Sequence, residues 1–187
     1  MRTLIKLVMI VFFLAAGVAE GIEVGGADLP DTLSAGNTKL ILNGAGLRKK
    51  LFVKVYAEGL YLEEKQSDPT AIIQADRPMA IRMHFIYDGV TPKQLVDTWN
   101  EGFAASTADK GASIRDRLNT FNGFFTEKAQ KGDRYDLIYL TEEGVTLFIN
   151  QKRVGTVPGL DFKKALYAIW LGEKPADAGL KAGLLGK

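Results

Sequence analysis

An α+β fold built on an antiparallel sheet is the class this sequence predicts, and three observations predict it. Strand-like and helix-like stretches come in the order strands, helices, strands, helices, which favours an antiparallel arrangement over a βαβ repeat. Met79, Ile81, Met83, Phe85 and Tyr87 alternate with Arg82 and His84, the period of two that sends successive side chains to opposite faces of a sheet. Leu95, Val96, Trp99 and Phe103 instead recur at helical spacing. With 187 residues, 47% of them hydrophobic, the chain is long enough for one domain with its own core, and neither a linker nor a repeat divides it.

Residues 1–19 read as a leader. Arg2 and Lys6 precede an apolar run from Leu7 to Ala16, and Gly17-Val18-Ala19 offers small residues for cleavage before Glu20. The run is shorter than the roughly 20 apolar residues that span a bilayer, so a cleaved signal peptide is expected rather than a membrane anchor. No cysteine stands at the cleavage point to carry a lipid. An exported, periplasmic domain over residues 20–187 is the expectation.

Within that domain, Glu20 to Asn37 reads as a short extended piece followed by a loop. Thr38 to Asn43 reads as a strand, and Asn43-Gly44-Ala45-Gly46 as a turn. A long strand from Leu51 to Leu62 carries apolar residues on odd numbers at Leu51, Val53, Val55 and Ala57, and on even numbers at Leu60 and Leu62. The change of phase predicts a bulge at Glu58-Gly59. Before it, Phe52, Lys54, Tyr56 and Glu58 share a mixed face, such as lines a pocket or a half-covered sheet edge. Ser67-Asp68-Pro69-Thr70 opens a short helix, and a strand covers Met79 to Tyr87. Thr91-Pro92-Lys93-Gln94 then supplies an N-cap, a proline at the first position and a capping-box glutamine for the helix that carries Trp99. On that helix Lys93 and Asn100 lie seven apart and flank Val96 on nearly one face. A helix from Ser113 to Glu127, strands over Asp133–Thr141 and Val145–Asn150 joined at Glu142-Glu143-Gly144, a short strand at Val154–Thr156, and helices opening at Asp161 and Pro175 complete the chain.

Several chemistries are excluded. Removal of Arg2 and Lys6 with the leader leaves 22 basic against 22 acidic residues, which gives no support to nucleic-acid binding. Cysteine is absent, so there is no disulfide framework, thiolate metal site or cysteine nucleophile. The lone histidine, His84, lies within a strand, and no G-x-S-x-G motif accompanies it. The Gly-rich run at 43–48 lacks the Gly-Lys-Ser/Thr ending of a phosphate loop. Neither a cofactor nor a metal is expected.

The run Asn43-Gly44-Ala45-Gly46-Leu47-Arg48, followed by Phe52-Val53-Lys54-Val55-Tyr56-Ala57-Glu58-Gly59-Leu60-Tyr61-Leu62, resembles the chalcone isomerase family, and its exported bacterial members in particular. Ile169-Trp170-Leu171-Gly172, Lys174-Pro175 and Leu184-Leu185-Gly186 resemble the same branch. The resemblance implies an open-faced β-sandwich of one domain, its antiparallel sheet packed by a helical layer with a pocket between them. In the plant enzymes that pocket closes a flavanone ring by intramolecular addition of a phenolate, without a cofactor. The family's arginine matches Arg48 and its helix asparagine matches Asn100. The enzymes' strand threonine falls on Tyr56 and their helix tyrosine near Lys93, while their C-terminal threonine has no counterpart around Pro158, so the set departs from the cyclising pattern.

The family's non-catalytic branch includes fatty-acid-binding proteins in which an arginine and a tyrosine hold a carboxylate under an apolar tunnel, and Arg48 with Tyr56 resembles that pair. The implied function is a periplasmic, non-enzymatic binder of a small amphipathic acid. Arg48 and Tyr56 would hold the head group, Lys93 and Asn100 would be further polar contacts, and Phe52, Trp99, Phe103 and Phe121 would be candidate walls. Two alternatives stand beside it: a cofactor-independent isomerase or lyase, with Tyr56 or Lys93 handling the proton, and a cell-envelope interaction module with a vestigial pocket.

Overall fold

Seven strands pair in sequence order into one antiparallel sheet: β3 (Thr32–Ala35), β4 (Thr38–Lys50), β5 (Val53–Leu62), β6 (Met79–Phe85), β7 (Arg134–Leu140), β8 (Gly144–Ile149) and β9 (Lys152–Val157). A separate hairpin, β1 (Gly21–Val24) with β2 (Ala27–Pro30), precedes them. The computed structural model describes residues 21–109 and 111–187, and the leader expected at 1–19 lies outside them. Five helices accompany the sheet: α1 (Pro69–Gln74), α2 (Pro92–Ser106), α3 (Arg115–Asn122), α4 (Leu160–Leu171) and α5 (Ala178–Leu184). The expected α+β class, with an antiparallel sheet under a helical layer, is the class found.

Alternation along the strands divides the protein into two faces. Tyr56, Leu60, Met79, Ile81, Met83, Phe85, Tyr135, Leu137 and Leu147 meet residues of α2, α3 and α4 in the main core. Aromatic rings dominate this layer: Trp99 stacks on Phe125 at 5.6 Å and meets Phe121 and Trp170 edge-on at 5.2 and 5.8 Å. On the reverse face Leu40, Leu42, Tyr61 and Ala80 form a smaller cluster, and Ala27, Leu29 and Ala57 join the β1–β2 hairpin to the sheet. There too Arg82 grips Asp136 with two bonds of 2.6 and 2.7 Å, a buried pair that ties β6 to β7.

Helix starts obey local chemistry. Asp68 caps α1 with Pro69 in its first turn, and Thr91 and Gln94 form the expected capping box on α2. The far end of α1 is held by a group the sequence hides. Lys163 of α4 is fully buried, and its ammonium donates to the carbonyls of Ile72, Ile73 and Ala75 at 2.8, 3.0 and 2.8 Å. Burial pushes its pKa down to about 8, against a smaller raising influence of Asp76.

Four expectations about local structure are corrected. Asn43-Gly44-Ala45-Gly46 is not a turn, because β4 runs through it. The two glycines serve close packing: a Cβ on Gly44 would stand 2.2 Å from the Gly183 carbonyl oxygen of α5. The turn lies instead at Leu51-Phe52, between the paired residues Lys50 and Val53. No bulge occurs at Glu58-Gly59, where β5 pairs with β6 without interruption. The register instead shifts around Asn43 and again at Val55, between the pairs Arg48–Tyr56 and Lys49–Lys54. Finally, the helix expected over 113–127 is a 3-10 turn at Ala112–Ile114 and the eight residues of α3, and the last helix starts after an Asp177 cap rather than at Pro175.

Candidate functional site

The shift at Val55 arranges the site. It sets Arg48 of β4 directly across from Tyr56 of β5, so their side chains leave the sheet on the same face as neighbours. Over them lie α2 and the end of α4, which enclose a cleft of about 240 Å³. Met83, Phe85, Leu95, Trp99, Ile169 and Trp170 give it apolar walls, and Arg48, Tyr56, Glu101 and Lys174 its polar groups.

Arg48 lies 3.8 Å from the Asp177 carboxylate, a loose ion pair, and also donates to the carbonyl of Lys49. A guanidinium has five N–H donors, so neither contact exhausts it. The Tyr56 hydroxyl accepts a bond of 3.2 Å from the Trp170 indole. Burial, with a smaller contribution from the charge of Glu58, drives the Tyr56 pKa far up, so the phenol stays protonated throughout the physiological range.

Glu58 follows Tyr56 by two residues and therefore shares its face of β5. It is fully buried, and neither carboxylate oxygen has a hydrogen-bond partner among the described residues. Burial raises its pKa well above that of an ordinary carboxyl, and the nearby charge of Arg48, with a smaller contribution from the neighbouring Tyr56 hydroxyl, offsets part of the rise. Tyr167, one turn before Trp170 on α4, is likewise buried with an unpartnered hydroxyl, and the charge of Glu58 adds to the upward shift that burial gives it. The polar side of the cleft is thus a part-buried guanidinium, a phenol–indole pair within, and a carboxyl of raised pKa with a second phenol deeper in the core.

Of the side chains singled out from sequence, Arg48, Tyr56 and Trp99 come together on this cleft. The other five do not line it. Phe52 stands at the hairpin tip, 99% exposed, because the strand alternation that suggested a wall position continues across the turn. Lys93 is exposed and paired with Asp97 one helical turn on, at 2.7 Å. Asn100 is also exposed and accepts a 2.8 Å bond from Asn122, joining α2 to α3. Phe103 is sealed in the core against Phe121 and Phe162 at 6.0 and 5.2 Å, as is the candidate wall residue Phe121. The two polar helix residues miss the cleft because Leu95, Trp99 and Phe103 define the inward stripe of α2. Sequence reading placed Glu58 on the right face but gave it no role, Lys174 entered only through the resemblance of Lys174-Pro175 to the family, and Asp177 carried no signal beyond composition.

No cluster of His, Cys, Asp or Glu suited to a metal occurs among the described residues. No helix among them is long and apolar enough to cross a membrane.

A family model described as chalcone isomerase-like matches residues 21–186. Among solved structures, a fatty-acid binding protein of Arabidopsis thaliana is similar in fold, with a TM-score of 0.72 and 21% identity over 86% of this chain and 92% of that one. No curated protein sequence matches the chain.

Proposed function

Because the chain belongs to the chalcone isomerase-like family, and its cleft joins a guanidinium and a phenol to an apolar wall, we propose that it binds a small amphipathic carboxylate, such as a fatty acid, without transforming it. The observation that carries this reading is the cross-strand pair Arg48–Tyr56 at the polar end of the cleft. Arg48 supplies a planar fork that matches a carboxylate, and Tyr56 adds a neutral donor already oriented by Trp170. Charge-assisted bonds contribute about 1.5–3 kcal/mol each and apolar burial about 0.8 kcal/mol per CH₂. The walls therefore supply most of the affinity and Arg48 the orientation. Ligand pockets usually enclose about 300–1,000 Å³. A cleft of about 240 Å³ therefore favours a short chain, or a longer one whose tail emerges.

Two features weigh against an isomerase. Proton transfer near neutral pH needs a group whose pKa lies nearby, whereas burial moves Tyr56 away from that range. Lys93, the other candidate, lies outside the cleft in a surface ion pair. The presence of a cleft beside Arg48 likewise favours a binder over an envelope module with a vestigial pocket. With the leader expected at residues 1–19, the proposed place of work is the periplasm.

Protein purified without detergent, denatured and extracted for mass spectrometry of the released lipids, is expected to yield a stoichiometric carboxylic acid or to take one up when it is offered. A protein that carries none and ignores added acids overturns the proposal.

A further inference from the structure

The β4–β5 hairpin ends in a tip that the fold does not account for. Leu51 is 89% and Phe52 99% exposed, and Val53 beside them is also exposed. Leu51 has φ of 57°, the left-handed region, where glycine or asparagine is at ease and a bulky aliphatic side chain is strained. A two-residue turn with positive φ at its first residue alone is usually made with glycine there. This chain instead places there the two most exposed large apolar side chains among the described residues, and they contribute nothing to the core. Around them stand Lys49, Lys50 and Lys54, none of which forms an ion pair among the described residues. No acidic residue lies between Arg48 and Ala57. Tyr87, a half-exposed aromatic, lies near the tip end of the same hairpin, its N–H bonded to the Val55 carbonyl at 3.1 Å.

We propose that this tip docks the protein on an anionic lipid bilayer, with Leu51 and Phe52 inserted among the acyl chains and Lys49, Lys50 and Lys54 on the headgroups. Charge complementarity selects the partner. An apolar knob alone suits many surfaces, but a knob collared by unpaired lysines suits an apolar layer covered by negative charge. Tyr87 stands where an amphipathic ring meets the interfacial level. The cleft adds continuity: Val55, which lines it, is three residues from Phe52, about 10 Å along the strand. Docking at the tip brings the Arg48 end of the cleft against the membrane surface, the source from which an amphipathic acid would be drawn. The docking goes beyond the binding function proposed above and does not depend on it.

The test is co-sedimentation of the chain lacking residues 1–19 with vesicles of phosphatidylcholine alone or mixed with phosphatidylglycerol, alongside fatty-acid binding measured without vesicles. Binding to the mixed vesicles, weakened by salt, is expected. Leu51→Asn combined with Phe52→Ser should lower it at least about tenfold. Thermal stability should be kept or raised, because asparagine tolerates the left-handed conformation, so the loss is not one of folding. Each of Lys49, Lys50 and Lys54 changed to Gln should cost about fivefold on the anionic vesicles. Absence of vesicle binding, equal binding to both vesicle types, or indifference to these substitutions overturns the proposal. So does a concentration-dependent dimer that the same substitutions abolish, which would give the tip to a second copy. Vesicle binding without acid uptake overturns the binding function and leaves the docking intact; acid uptake without vesicle binding does the reverse.

Discussion

Glu58 is a costly side chain to bury in this core: a carboxyl with no exposure, neither of whose oxygens accepts a hydrogen bond of ordinary geometry from the described residues. Burial favours its protonated form, and that has a consequence for stability. The unfolded chain releases the proton near the ordinary value of 4.5, whereas burial makes the folded chain hold it to higher pH. Between those two values the folded state binds more protons than the unfolded one, so stability falls as pH rises through the window. Glu58→Gln keeps the shape and cannot ionise. Urea midpoints of the two proteins should therefore separate in favour of the glutamine variant as pH rises above about 4.5, and a gap that stays constant would contradict a raised pKa at the buried Glu58. Tyr56 beside it was legible in the sequence as part of a mixed strand face. What alternation does not carry is depth, which is why Glu58 and Phe52 looked equivalent and lie at opposite extremes of burial.

At the scale of elements, the least legible junction was β4–β5, and the reason is physical. Glycine announces a turn only when its freedom to adopt positive φ is used. Gly44 and Gly46 use their missing Cβ instead, letting the α5 backbone lie directly on the strand. The true turn, Leu51-Phe52, carries none of the usual turn residues and so read as strand. The packing account predicts that Gly44→Ala, which would press a methyl group into the Gly183 carbonyl oxygen, costs about 1–3 kcal/mol in denaturant unfolding. Retention of full stability would mean that α5 is free to move away from β4. The helix starts at α1 and α2 were legible throughout, because Asp68-Pro69 and Thr91-Pro92-x-Gln94 act within a single turn. The support of α1 by Lys163 was not, since a lysine ninety-one residues from Ile72 in the chain gives no local signal.

Across the whole molecule, one sheet separates two kinds of interior. The reverse face is closed by short strands and the Arg82–Asp136 pair, whereas the helical face is a deep aromatic layer that opens at the hairpin end beside Arg48. The fold class followed from element order, and the family from the Gly-rich run and the strand after it. Which polar residues share the cleft followed only from the register of β4 against β5, a long-range property. The central claim is that this open end recognises a carboxylate, and it rests on Arg48 acting as the charge that does so. The most direct measurement is the affinity of wild type and Arg48→Met for one fatty acid and for its methyl ester. Arg48→Met should weaken binding of the acid by about 1.5–3 kcal/mol, roughly ten- to a hundredfold, and leave the ester nearly unchanged. Equal losses for acid and ester would make Arg48 a structural residue and contradict the claim.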